Sequence, residues 1–75
     1  MDALTTNDSS ALPDIGTLWN DDKHGLLVLT GIVPLGCTGF NERLYTFHLL
    51  RVSDSFHTNG IFTVHDWHTR FTHVA

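Results

Sequence analysis

The sequence predicts an all-β fold, a small barrel of four to five strands with one short C-terminal helical turn. Three observations carry that expectation. Short runs rich in aliphatic, β-branched and aromatic residues alternate with clusters of turn formers. Helical spacing of apolar residues appears only once, near the C-terminal end. The chain has 75 residues, and closing a sheet on itself removes edges that so short a chain has little else to cover.

The elements follow in order. Residues 1–12, "MDALTTNDSSAL", are polar and without period, which reads as a flexible tail ended by Pro13. The folded domain is expected over 13–75. "IGTLW", 15–19, is a short strand ending on a large aromatic. "NDDKHG", 20–25, is dense in turn formers, and "LLVLTGIV", 26–33, returns as the second strand of a hairpin. Gly31 inside that strand suggests a bulge or sharp bend.

"PLGCTGFNER", 34–43, carries Pro34, Gly36 and Gly39 and reads as a loop of about ten residues, a length more often functional than structural. "LYTFHLLRV", 44–52, is the best strand in the chain. One of its faces shows Tyr45, Phe47, Leu49 and Arg51, the other Leu44, Thr46, His48, Leu50 and Val52. Both are largely apolar, so the strand is expected to be covered on both sides, by a core and by a neighbouring layer or subunit. Asn59-Gly60 is a strong turn dipeptide, and "IFTVH", 61–65, follows it as a strand. Val64, Trp67, Phe71 and Val74 then recur at helical spacing. Thr63 or His65-Asp66 would cap a single turn there, with "FTHV" extended again.

Composition bounds the function. Hydrophobic residues make up 41% and charged residues 16%, which is globular. The formal net charge is −4, with only Lys23, Arg43, Arg51 and Arg70 basic. That is no footprint for duplex nucleic acid; an acidic balance suits a basic partner. The six histidines would reverse the sign in mildly acidic solution. Cys37 is the single cysteine, so no disulfide forms within the chain. "MDALTTNDSS" lacks the basic start and apolar stretch of a signal peptide, and "LLVL" is far short of the ~20 residues that span a bilayer. A soluble protein with no membrane partner is expected.

"GTLW", a turn, "GLLVLTGI", a long strand and the closing "FTVHDWHTRFTHV" resemble the small SH3-like barrel proteins encoded by phages and prophages. Those commonly open with Gly-x-x-aromatic and close with an aromatic, a short helical turn and a second aromatic, as Trp67 and Phe71 do here. The resemblance covers 13–75. It implies an SH3-like barrel acting as a binding module, made by a virus and working in the cytoplasm of a bacterial host.

Candidate sites were weighed by chemistry. His65 and His68, three apart, share one side of a helical turn, and with Asp66 they make a weak alternative metal site. A structural zinc site wants four ligands, commonly with a cysteine pair, and H-E-x-x-H needs a four-residue spacing; HDWH supplies neither, so no metal is expected. No serine sits in a G-x-S-x-G elbow, and the paired carboxylates Asp21 and Asp22 lie in a tight turn. An enzyme is not expected. No G-x-x-x-x-G-K-[ST] or G-x-G-x-x-G is present, and no cofactor is expected. "GCTGF", 36–40, could nest an anion beside Arg43, with Trp19, Phe40, Tyr45 and Trp67 available to stack a base. The loops "NDDKHG" and "DSFHTNG" bring Asp21, Asp22 and Asp54, an acidic surface for a protein partner.

The expectation is therefore a non-enzymatic binding protein that inhibits a bacterial host or antiviral-defence component, an anti-CRISPR-like protein blocker. Its binding residues would be drawn from Trp19, Asp21, Asp22, Phe40, Arg43, Tyr45, Arg51, Asp54 and Arg70. A second reading is an oligomeric sponge that sequesters a small nucleotide immune signal, with Arg43, Arg51 or Arg70 in a shared pocket. A third is a structural or assembly module. The doubly apolar strand 44–52 favours a homo-oligomer in each case.

Overall fold

The computed structural model describes residues 12–75. The tail expected over 1–12 therefore lies, except for Leu12, outside the described residues. Five strands and one helix follow one another as β1 (Leu18–Asp21), β2 (Gly25–Cys37), β3 (Arg43–Arg51), β4 (His57–Thr63), α1 (Val64–Arg70) and β5 (Thr72–His73). They form one antiparallel sheet in the order β4-β3-β2-β1-β5. The fold is mostly β, as expected, but the sheet is open. β4 and β5 are its edges, and no pairing joins them. The expected closed barrel is corrected to an open sheet, and along the β4 edge Trp67 of α1 and Phe71, the residue that caps it, meet Phe62 at ring distances of 6.1 and 5.5 Å.

The first hairpin forms where the sequence places it, shifted toward its turn. β1 starts at Leu18 and pairs Trp19 with Leu27 and Asp21 with Gly25. Gly16, at φ 93°, bends the preceding segment alongside β2, where its N–H donates to the Leu29 carbonyl at 2.7 Å. β2 then runs on past Val33. The expected loop over 34–43 shrinks to residues 38–42, because Pro34, Gly36 and Cys37 pair with Tyr45, Leu44 and Arg43. β1 pairs only with Gly25–Val28, so this stretch of β2 has a ladder on one side alone, a position that tolerates proline. The ladder shifts register between Leu29 and Gly31, the expected bulge, and again between Pro34 and Gly36.

The Asn59-Gly60 turn is also corrected. Both residues lie inside β4, opposite His48 and Phe47. The chain reverses instead at residues 52–56, with Ser55 at φ 60° and its N–H on the Arg51 carbonyl. Gly60 serves packing: a Cβ there would stand 2.7 Å from the Phe62 ring. Thr63 caps α1, its Oγ1 accepting the Asp66 N–H at 3.1 Å. α1 is seven residues, longer than the single expected turn.

The core is Trp19, Leu27, Leu29, Phe47, Leu49, Trp67 and Phe71, with Ile32, Tyr45 and Phe62 packed against it. Trp67 is its centre. Its ring stacks on Phe47 at 4.5 Å and on Phe71 at 4.0 Å, and meets the edge of Trp19 at 5.2 Å. Its Nε1 is buried without a hydrogen-bond partner among the described residues, so its hold on the fold is apolar contact and ring packing.

Candidate functional site

The long β2–β3 ribbon separates the candidate residues into two groups at its opposite ends. Pairing of Leu27 with Arg51 puts the β1–β2 turn and the β3–β4 turn at one end. Pairing of Cys37 with Arg43 puts the 38–42 turn at the other.

The first end holds Asp21, Asp22, Arg51, Asp54 and, from the end of α1, Arg70. Asp21 is buried at 3% exposure. The His24 Nδ1–H donates to its Oδ2 at 2.6 Å, and Arg70 Nη2 stands 3.6 Å from the same oxygen. Burial pushes the Asp21 carboxyl up, but the His24 hydrogen bond, a backbone N–H and the Arg70 charge together hold it below its ordinary value. Arg70 also lies over the Phe62 and Phe71 rings at 5.5 and 5.6 Å. A cavity of about 120 Å³ opens beside this group, with His24, Asn59 and Arg70 in its lining. Arg51 grips Asp54 with two bonds, Nε to Oδ1 at 2.9 Å and Nη2 to Oδ2 at 2.6 Å. That fork holds the exposed Asp54 carboxyl below its ordinary value and raises the guanidinium. Asp22 is exposed.

The expected acidic surface is thus largely neutralised. Two of its three carboxylates face arginines of the same end. The sequence reading missed His24 and Phe56. Asp-x-x-His across the Gly25 turn was the available signal for His24. Phe56 lies under Arg51 at 5.2 Å, and nothing in its spacing marked it.

The second end holds Phe40, Arg43 and Tyr45. Thr38 organises the turn: its Oγ1 accepts the N–H groups of Phe40 and Glu42 at 3.1 and 3.2 Å, and its own N–H donates to Glu42. Asn41 takes φ 64°. The result presents Phe40 outward at 88% exposure. Arg43 is exposed, and Tyr45 is half-buried against Phe47 at 6.2 Å. Both line a shallow depression of about 300 Å³ with Pro34 and Leu44.

Trp19 belongs to neither end. It is buried at 4%, its Nε1–H bonded to Thr17 Oγ1 at 2.7 Å, and its ring stands beside His68 and His73 at 5.7 and 4.8 Å. An open groove of about 660 Å³ runs past this edge, with Pro13, Asp14 and Thr17 on its wall. His65 is exposed on α1 and His68 half-buried. Among the described residues no three histidines, cysteines or carboxylates gather as a metal-binding group. No described helix is long and apolar enough to cross a membrane.

Against known proteins, the chain matches no family model, no curated sequence and no solved structure.

Proposed function

We propose that this chain is a non-enzymatic binding protein of SH3-like architecture, virus-encoded, which blocks a host protein of a bacterial antiviral defence. The strand order β4-β3-β2-β1-β5, with a helical segment leading into β5, supports the SH3-like part. The observation that carries the binding part is Phe40. A turn braced by four Thr38 hydrogen bonds holds a large apolar ring 88% exposed at the tip of an antiparallel ribbon. A large ring held outward on a braced turn supports an anchoring role, since aromatic side chains are enriched at the centres of protein interfaces. At the other end Asp21 is engaged with His24 and Arg70, and Arg51 with Asp54. Occupancy of the target is the mechanism, with self-association of the inhibitor.

The test is phage plaquing on bacteria that carry a defined defence system and express this chain. Restored plaquing that Phe40→Asp abolishes, with the variant still folded, is the expected result. Unchanged plaquing across a panel of protein-based defences sinks the blocker. The depression beside Arg43 and Tyr45 favours a second reading, a sponge for a small nucleotide signal. Native mass spectrometry with cyclic dinucleotides separates the two: added nucleotide mass on a multimer, lost in Arg43→Ala, selects the sponge.

A further inference from the structure

The strand register sorts the ribbon into two faces. Leu29, Ile32, Phe47 and Leu49 point into the core. The opposite face pairs Val28 with Leu50, Val33 with Thr46, and Thr46 with Ile61. At the second register shift Leu35 and Gly36 sit together opposite Leu44. Val33, Leu35 and Ile61 are 50%, 55% and 56% exposed, and Val28, Leu44 and Leu50 are half-buried. Further outward positions of these strands are Thr30, Gly31, His48, His57 and Asn59, with Leu26 at one end and the buried Thr63 at the other. None of these positions is Asp, Glu, Lys or Arg, although the chain as a whole carries −4.

We propose that this outward face of β2, β3 and β4 is the interface of a homodimer, two copies packing sheet against sheet about a twofold axis. The charge pattern permits the second copy. A partner of opposite charge would gain nothing from a face without charged groups, while the acidic chain meets itself there without like-charge contact. About a twofold axis each side chain of this face meets the same face of its copy, the arrangement of an isologous interface. The dimensions are of the right order. Three strands about 4.8 Å apart and about nine residues long, at about 3.3 Å per residue, give a face of roughly 400 Å² in plan. Two such faces come to roughly 800 Å² in plan, and the side chains standing on them add to what is removed from water, toward the roughly 1,200 Å² at which stable interfaces begin. The need is present too: among the described residues only seven apolar side chains are buried, and chains this short commonly gain stability by association.

The proposal rests on the self-association part of the functional reading and not on any target. Sedimentation equilibrium of the full chain should give the mass of two chains. Val33→Glu and Ile61→Glu, at exposed positions outside the core, should each raise the dissociation constant about a hundredfold, since a lone charge would be buried on association. Isotope-filtered spectra of mixed labelled and unlabelled wild-type chains need no variant. They should show methyl contacts between chains from Val33, Leu35, Leu44 and Ile61, and they decide the matter if a variant fails to fold. A single-chain mass at high concentration overturns both this interface and self-association. A dimer with intermolecular contacts elsewhere, or one indifferent to both glutamates, overturns this interface and leaves self-association standing.

Discussion

On the inward face of β3, Phe47 and Leu49 are 0% and 4% exposed. On the outward face of the same strand, Leu44, Thr46 and Leu50 are only half-buried and His48 is exposed. The two faces have similar apolar content, and what separates them lies thirteen or more residues away. α1 lays Trp67 on Phe47 and brings Phe71 behind it. The inward face is finished within the chain; among the described residues no helix lies over the outward face as α1 lies over the inward one. Hydrophobicity of a strand face therefore sets a demand for cover, and the connectivity decides which face has it met from within.

The largest test of this contrast is Trp67→Ala. It removes the ring that Phe47, Phe71 and Trp19 pack on, and should cost about 3–5 kcal/mol. For so small a core that approaches the whole folding stability, so a thermal scan should show no cooperative transition. Trp67→Phe should cost less than half as much, because it also removes the unpartnered buried indole N–H. A Trp67→Ala chain that melts within a few degrees of wild type breaks the contrast.

Gly60→Ala is next. The added methyl meets the Phe62 ring, so about 1–3 kcal/mol should be lost in urea titration. A neutral effect would mean that Phe62 swings away freely and that the β4 edge of the core is looser than described.

Asp21→Asn should cost about 1–2 kcal/mol at neutral pH by weakening its bonds to His24 and Arg70. The sign follows from its depressed carboxyl. As pH falls, the unfolded chain takes up this proton before the folded one. The stability is fully present above the ordinary aspartate range and is lost as pH falls through the lower folded value. The gap between wild type and Asp21→Asn should close over that acidic window, read by urea titration at stepped pH; a constant gap would remove the ionic origin.

The smallest effects belong to exposed positions. In dilute solution Val33→Thr should change stability by under about 0.5 kcal/mol, against several for Phe47→Ala on the inward side. The double change His65→Gln with His68→Gln should likewise leave the fold intact. Loss of folding together with loss of one zinc per chain, by elemental analysis, would return the metal reading.

Local signals in the sequence carried much of this. The apolar and aromatic run over 44–52 located β3, Gly31 marked a bulge, Thr63 read as a cap, and the helical spacing of Trp67 and Phe71 marked the C-terminal helical segment. Two turn signals misled, for opposite reasons. Pro34 and Gly36 punctuate a loop in isolation, yet a strand paired on one side accepts both. Asn59-Gly60 reads as a hairpin, yet Gly60 is there to leave space for Phe62. Neither fact is local, since each depends on what stands beside the strand. The charged residues were found individually but not in their pairs. Arg51 and Asp54 close a turn, while Asp21 and Arg70 meet only after the chain has passed through β2, β3, β4 and the helix.

The Trp19–Trp67 contact makes the core optically legible. Two indoles 5.2 Å apart and inclined at 71° are close and skewed enough for their electronic transitions to couple. Coupled indoles give paired circular dichroism bands of opposite sign, which neither ring gives alone. The amplitude depends on separation and angle, so it would vanish when side-chain packing loosens, even while strands persist. Nature has placed in this molecule a spectroscopic ruler across the joint between β1 and α1.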